Sequence, residues 1–232
     1  MPYRIPEAHV FPDPQLADDD GLLGVGGDLN PARVALAYQL GIFPWYSEGL
    51  PILWWSPDPR LVLLPSELRV SRSLEKRIRN GPFRVTADRA FADVIHRCAA
   101  VPRPGQSGTW ITQDMLASYI ALHEAGRAHS VEAWVGDVLV GGVYGVVAGA
   151  VFCGESMFSV QPDASKVAFV ALVRSLARWG CPLIDCQVRT EHLARFGARE
   201  VPRTEFLERL ADGRSGTLPG GPWSIALADA QK

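Results

Sequence analysis

The sequence lacks the cysteine patterns of a disulfide-stabilised or zinc-binding domain. Its 232 residues include four cysteines and five histidines, with no C-x-x-C pair and no metal-ligand spacing. Isolated thiols of this kind are typical of proteins in a reducing compartment. We therefore expect a cytoplasmic protein without a metal ion.

An excess of charge and long apolar segments are also missing. The formal net charge of -2 argues against a generally basic surface, so any nucleic-acid site must be a local patch. Glycines interrupt the longest apolar stretch, "VLVGGVYGVVAGAVFCG", which favours strands over a membrane span. The first residues, "MPYRIPEAHVFPDP", contain neither the charged nor the apolar part of a secretory leader.

Glycine is absent where a nucleotide cofactor would need it. There is none between Glu155 and Trp179, where an acetyl-CoA-dependent transferase would carry a Q/R-x-x-G-x-G/A loop for pyrophosphate. The "GVGGDL" segment lacks the strand and helix context of a dinucleotide fingerprint. We therefore expect no cofactor with a diphosphate.

The amino-acid composition of the sequence changes near residue 62. Residues 1–62 are rich in Pro, Gly and Trp and predict a small irregular domain with a helix that Asn30 caps. Residues 63–232 predict helices around an antiparallel meander, "HSVEAWV", "VLVGGVYGVV" and "AVFCGES". The pattern indicates an α+β protein of two domains, the second with a mixed, largely antiparallel sheet.

Polar residues interrupt the predicted strand "LIDCQV". Burying an aspartate and an amide costs several kcal/mol, about 2–7 for each unpaired group, unless each finds partners. Strand alternation predicts that Asp185 and Gln187 share one face and that Cys186 points into the opposite, apolar layer. The pair is either a structural hydrogen bond or the chemistry of a site. Cys186 as a nucleophile would need an electropositive setting.

Three further features allow a site or an ordinary structural role. Glu155 ends a predicted strand beside a glycine, and Trp45 and Trp110 lie in loops, where a tryptophan anchors the loop or stacks on a base. The helix "SKVAFVALVRSLARWG" carries an apolar stripe that packs in the core and could wall a pocket with one edge. The stripe consists of Phe169, Leu172, Val173 and Leu176.

Basic residues concentrate between Arg69 and Arg84, where six of them stand against one acid. Arg72, Lys76 and Arg79 follow i, i+4, i+7 spacing and therefore share one helix face. This face is either simply solvated or suited to a few phosphate contacts, which weaken steeply with salt.

Together these segments resemble the bacterial leucyl/phenylalanyl-tRNA–protein transferases over nearly the whole chain. The matching segments are "GLLGVGGDLNPARVALAYQLGIFPWY", "PILWWSPDPR", "SRSLEKRIR", "GTWIT", "AHSVEAW", "GGVYGV", "FCGESMFS", "ASK", "LIDCQV" and "HLARFGA". The resemblance implies transfer of leucine or phenylalanine, with methionine as a third candidate, from aminoacyl-tRNA to an N-terminal Arg or Lys. The product would be marked for N-degron-dependent degradation. It also implies a C-terminal domain like that of the GNAT acyltransferases, here a monomer that uses tRNA as acyl carrier.

The resemblance also implies roles for individual residues. Asp185 and Gln187 match the catalytic pair, Glu155 an active-site glutamate, and Trp45 and Trp110 the tryptophans that hold the 3′-terminal adenosine. The residues expected to line the side-chain pocket are Phe152, Val143, Phe169, Leu172, Leu176 and Ile184. Those expected to touch the tRNA acceptor stem are Arg72, Lys76 and Arg79.

For the chemistry, we expect the Gln187 carbonyl to align the acceptor amine. Asp185 would polarise that amide or attract the acceptor's positive charge, and Glu155 would help to recognise the basic acceptor side chain. Three other readings remain: a CoA-independent acyltransferase, an RNA-binding module of GNAT-like fold, and a cysteine hydrolase that combines Cys186 with His129 or His192.

Overall fold

The computed structural model describes residues 2–101 and 110–225. In these ranges the chain forms a four-stranded sheet and a seven-stranded sheet, with helices on both faces of the larger one. The strands of the small sheet are β1 (Tyr3–Ile5), β2 (Leu22–Gly26), β3 (Phe43–Pro44) and β4 (Leu53–Trp55). Those of the large sheet are β5 (Arg60–Leu63), β6 (Arg84–Ala87), β7 (Ala128–Val135), β8 (Val138–Ala148), β9 (Val151–Ser159), β10 (Ile184–Gln187) and β11 (Arg199–Val201).

The helices begin where the sequence offers caps. They are α1 (Pro31–Gln39), α2 (Arg72–Asn80), α3 (Phe91–Ala100), α4 (Gln113–Glu124), α5 (Ala164–Arg178), α6 (Glu191–Arg195) and α7 (Arg203–Arg214). Asn30, Ser71 and Thr112 accept hydrogen bonds from backbone N–H groups in the first turns of α1, α2 and α4. No helix within the described residues is long and apolar enough to cross a membrane.

The large sheet is mixed and largely antiparallel, which confirms the predicted α+β class. Its strand order is β11-β5-β10-β9-β8-β7-β6. β10 pairs with β9 in parallel and with β5 antiparallel, so it lies between two buried neighbours. The predicted meander corresponds to β7, β8 and β9.

The predicted division after residue 62 falls inside β5, a strand of the large sheet. One hydrophobic core also joins the two predicted domains, since Tyr38 of α1 and Tyr119 of α4 belong to it and their hydroxyl oxygens lie 2.5 Å apart. We propose that any division of the chain lies before Arg60.

Two cores cover the two faces of the large sheet. Helices α1, α3 and α4 pack on one face, and α5 packs on the other. Side-chain alternation along β9 sends Phe152 towards α5 and Cys153 towards the opposite core. Gly145 of β8 makes room for the Phe152 ring, because a Cβ there would lie 2.5 Å from its Cζ atom.

Candidate active site

A pocket of about 450 Å³ opens where β9 and β10 meet the N-terminal part of the chain. Its walls come from β3, β8, β9, β10, α5 and α6 and from the segments around two tryptophans. The lining residues are Phe43, Pro44, Trp45, Trp110, Val143, Phe152, Gly154, Glu155, Ser156, Met157, Phe169, Ile184, Cys186, Gln187, Val188, Thr190, His192 and Leu193. An apolar cavity with a few polar groups is the usual form of a small-molecule site.

Of the predicted apolar lining residues, Val143, Phe152, Phe169 and Ile184 do line the pocket. Leu172 and Leu176 are not among its lining residues in the described part of the chain; they are buried in the core between α5 and the sheet. These two positions lie about one and two helical turns beyond Phe169, so the helix carries them away from the pocket.

Both predicted loop tryptophans line the pocket. Trp45 is 39% exposed, and its position is fixed by Trp55, whose Nε1 donates to the Trp45 carbonyl oxygen at 2.7 Å. The rings of Trp45 and Trp55 lie 5.9 Å apart. The pocket therefore has an exposed aromatic surface at one side.

The predicted alternation along β10 is wrong at its end. The register shifts between Asp185 and Gln187, and Gln187 has a φ of 62°, in the left-handed region. Gln187 consequently lines the same pocket as Ile184 and Cys186, whereas Asp185 does not. The expected separation of Cys186 from the site therefore does not occur, although its surroundings are apolar as predicted.

Asp185 forms a buried ion pair with Arg60 of β5. Arg60 Nε donates to Asp185 Oδ1 at 2.8 Å and Nη2 donates to Oδ2 at 2.7 Å, and both side chains are fully buried. The Arg60 guanidinium also lies over the rings of Phe43 and Phe206, at 4.9 and 4.5 Å from their centroids. Arg60 already neutralises this carboxylate, so the geometry gives no support to the expected attraction of an acceptor's positive charge by Asp185.

The connection between Asp185 and Gln187 runs through the backbone. Gln187 N donates to Asp185 Oδ1 at 2.9 Å. This bond holds the backbone of Gln187 in its left-handed conformation, which costs a non-glycine residue of order 1–3 kcal/mol. Asp185 thus bonds to the backbone N–H of Gln187 and not to its side-chain amide.

The Gln187 side chain contacts Glu155 on the neighbouring strand. Gln187 Nε2 donates to Glu155 Oε1 at 2.6 Å, and Tyr119 Oη donates to Glu155 Oε2 at 3.2 Å. Burial raises the pKa of Glu155 to about 7, although hydrogen bonds from Tyr38, Gln187 and Tyr119 lower it in part. Burial raises the pKa values of Tyr38 and Tyr119 well above their usual range, so both remain neutral donors.

The thiols do not have the setting of a nucleophile. Cys98, Cys153, Cys181 and Cys186 are all buried. Burial raises the pKa of Cys181 to about 11 and that of Cys186 further, which leaves almost no thiolate at neutral pH.

The two histidines offered as partners for Cys186 are placed differently from each other. His129 Nδ1 lies 2.7 Å from Asp88 Oδ2, and its ring stacks on Trp223 at 3.8 Å, away from the pocket lining. His192 does line the pocket, and burial lowers its pKa. Since Cys186 holds its proton, the combination does not make a cysteine hydrolase. Within residues 2–101 and 110–225 no group of three or more His, Cys, Asp or Glu side chains could hold a metal ion.

The predicted basic face is exposed on α2. Arg72, Lys76 and Arg79 point to solvent, while Leu74 and Ile78 of the same helix are buried. This is the amphipathic arrangement that the spacing predicts.

The sequence reasoning missed the residues that support the polar pair. Arg60 carried a signal, since a buried arginine before the apolar run "LVLL" requires an acid as partner. Tyr38 and Tyr119 carried none, because an inward tyrosine on an amphipathic helix is typical of core packing. Phe43, Met157 and His192 approach the pocket only through tertiary contacts.

The sequence of this chain matches those of known proteins over almost its full length. A family described as "Leucyl/phenylalanyl-tRNA protein transferase" matches residues 62–211, and its N-terminal domain matches residues 27–58. Proteins named leucyl/phenylalanyl-tRNA–protein transferase from Anaeromyxobacter sp. (strain Fw109-5) and Myxococcus xanthus (strain DK1622) are 61% and 56% identical. The first match covers 98% of this chain and 97% of the relative, and the second covers 97% of each.

Among solved structures, a conserved protein of unknown function from Staphylococcus epidermidis ATCC 12228 has a TM-score of 0.40 and 10% identity, over 78% of this chain and 68% of that one. That likeness is too weak to support an argument about the fold. The sequence matches are much stronger than this structural likeness. They show that the chain belongs to the leucyl/phenylalanyl-tRNA protein transferase family of enzymes.

Proposed function

We propose that this chain transfers leucine or phenylalanine from aminoacyl-tRNA to the N-terminal Arg or Lys of an acceptor protein, with methionine as a third donor residue. The transfer forms a peptide bond and marks the acceptor for N-degron-dependent degradation. The observation that carries the proposal is an apolar pocket with an amide and a carboxylate on its wall, in a chain of this family. The enzyme would act in the cytoplasm as a monomer, without a cofactor.

The pocket suits an apolar amino-acid side chain. Val143, Phe152, Phe169 and Ile184 supply aliphatic and aromatic walls, and Met157 adds an adaptable one. Burial of a leucyl or phenylalanyl side chain in such surroundings contributes about 1.5–3 kcal/mol. A charged aminoacyl side chain would lose its hydration against these apolar side chains.

The tRNA would approach from the aromatic side of the pocket. Trp45 and Trp110 offer faces on which the terminal adenine stacks, worth about 1–3 kcal/mol per base. The basic face of α2, formed by Arg72, Lys76 and Arg79, would contact phosphates of the acceptor stem. We further propose that the larger part of the chain is GNAT-like, with tRNA in place of acyl-CoA.

Catalysis would rest chiefly on positioning. The aminoacyl ester is already activated, and the alignment of two substrates supplies roughly 7–11 kcal/mol of barrier reduction. Gln187 would align the acceptor amine through its amide oxygen, because its Nε2 already donates to Glu155. Asp185 and Arg60 would keep Gln187 in place through its backbone.

The decisive experiment is transfer of radiolabelled leucine from charged tRNA to a peptide that begins with arginine. We expect label in the peptide, less label with an N-terminal alanine, and none when the α-amine is acetylated. Binding of tRNA without transfer would instead support an RNA-binding module, and transfer from another acyl ester would support a broader acyltransferase. Pretreatment with iodoacetamide at neutral pH should leave transfer unchanged, because the four thiols are buried and burial raises the pKa of Cys186, the one in the pocket wall.

A further inference from the structure

The proposed reaction needs a group that removes a proton. The α-amino group of a protein has a pKa of about 7.7–8.0, so most of it is protonated and unreactive at neutral pH. A base within hydrogen-bond reach of this ammonium group would supply the neutral amine.

Gln187 and Asp185, the predicted catalytic pair, are poorly suited to this task. The amide of Gln187 is a far weaker base than a carboxylate, and its Nε2 can only donate. The carboxylate of Asp185 is fully buried against Arg60 and is absent from the pocket wall. Glu155 is the acid among the lining residues of the pocket, as far as the chain is described.

We propose that Glu155 accepts the proton from the acceptor's α-ammonium group, while Gln187 only orients the amine. This assignment rests on the proposed function. It gives Glu155 a different task from recognition of the basic side chain, since a carboxylate bonded to Gln187 at 2.6 Å lies beside the amide that aims the amine.

The surroundings of Glu155 keep its carboxylate in one orientation. Tyr119 Oη donates to Oε2 at 3.2 Å, and the Tyr38 hydroxyl lies 2.5 Å from that of Tyr119. Gln187 holds the other oxygen. A carboxylate with both oxygens held loses little freedom when it meets the ammonium group, which lowers the cost of reaching the reactive geometry.

The titratable groups that shift the pKa of Glu155 come from α1, α4 and β10. Tyr38 of α1 and Tyr119 of α4 donate hydrogen bonds, and Asp185 of β10 acts through its charge. Burial outweighs the donors and brings the pKa of Glu155 to about 7, near the pH at which a general base works best. Arg60 offsets the charge of Asp185.

The proposed steps balance in atoms and charge. The ammonium group gives one proton to Glu155, and the free amine forms a C–N bond to the ester carbonyl carbon. The tetrahedral intermediate then breaks the bond to the ribose oxygen. That oxygen takes the proton from Glu155, the new amide nitrogen releases its extra proton to solvent, and the carboxylate is restored.

The test is the pH dependence of kcat/KM for an arginine-initiated peptide, with saturating leucyl-tRNA, between pH 5.5 and 9. For the unaltered chain we expect a bell, with an acidic limb near pH 7 from Glu155 and an alkaline limb near 8 from the amine. Glu155→Gln keeps an acceptor for Gln187 Nε2 but cannot take a proton. In this variant kcat/KM should fall about 100-fold or more at pH 7 and rise about tenfold per pH unit until the amine is neutral.

A second variant separates catalysis from folding. Tyr119→Phe removes a donor that stabilises the Glu155 carboxylate, so the acidic limb should move to higher pH while transfer persists. An acidic limb that stays near 7 in Glu155→Gln, or that does not move in Tyr119→Phe, would overturn the assignment. If the unaltered chain transfers no leucine, the proposed function itself is wrong, so the two failures are distinguishable.

Discussion

Replacing Asp185 by alanine would leave the guanidinium of Arg60 buried without its counter-ion. Both side chains are fully buried, and two hydrogen bonds of 2.8 and 2.7 Å join them. Removal of one partner of a buried pair costs about 3–5 kcal/mol, since the remaining charge stays desolvated. With a urea m-value of roughly 2–3 kcal/mol/M, the midpoint of unfolding should fall by about 1–2.5 M.

The measurement is urea unfolding of Asp185→Ala beside a matched exposed control. Glu191→Ala removes a partner of Arg189 at the surface, where an ion pair is worth about 0–1 kcal/mol. We expect a small shift for the control and a large one for Asp185→Ala. Transfer assays at 15 °C in the absence of urea would measure the transfer activity that folded Asp185→Ala retains.

A double substitution separates stability from positioning. Arg60→Met with Asp185→Leu removes both charges, and such apolar replacements of a buried pair are often neutral or stabilising by about 1–4 kcal/mol. The backbone N–H of Gln187 nevertheless loses its acceptor, so kcat should stay low while stability recovers. A change of less than about 1 kcal/mol in Asp185→Ala would refute the buried-pair argument, and full activity of the double variant would refute the positioning role.

Three further results follow from the same geometry. Leu176→Ala should cost about 2–5 kcal/mol in urea unfolding yet leave the ratio of leucine to phenylalanine transfer unchanged, because this side chain packs in the core; an altered ratio would count against that placement. Changing Arg72, Lys76 and Arg79 together to glutamine should raise the KM for aminoacyl-tRNA and reduce the slope of log affinity against log salt concentration by up to about 3. A triple variant with the same KM as the unaltered chain at both 50 and 200 mM salt would contradict a tRNA-binding face. The folded chain holds the Glu155 proton up to about pH 7, whereas an unfolded chain loses it near pH 4.5, so the free energy of unfolding should fall from pH 5 to pH 8 by at most about 3 kcal/mol. Urea titrations at pH 5 and pH 8 should show this fall in the unaltered chain and not in Glu155→Gln.

Local signals account for the elements that the sequence predicted well. Asn30 with Pro31, Ser71 and Thr112 mark helix starts by chemistry that acts within three or four residues, and each of them caps as expected. The apolar segments that predict β7, β8 and β9 and the spacing of the basic residues on α2 are equally local. The division after residue 62 stays a prediction: composition changes there, while the strand pairing of β5 continues through it.

The site shows the limit of periodicity. Alternation predicted a shared face for Asp185 and Gln187, but the register shift and the positive φ at Gln187 turn the amide into the pocket. The stripe on α5 was correctly apolar, yet only Phe169 of its predicted pocket residues reaches the cavity. A pattern in one element shows which side is apolar and does not show where a partner element leaves a gap.

By itself, the sequence determined the α+β class, the helix starts, the exposed basic face and the residue types of the polar pair. These depend on interactions between near neighbours in the chain, or on burial that residue type already dictates. The tertiary structure alone decided that Asp185 meets Arg60, 125 residues away, and that Glu155 meets Gln187 and Tyr119. Those contacts join separate strands and helices, and the energy of burying a charge becomes defined only once its partner is brought beside it.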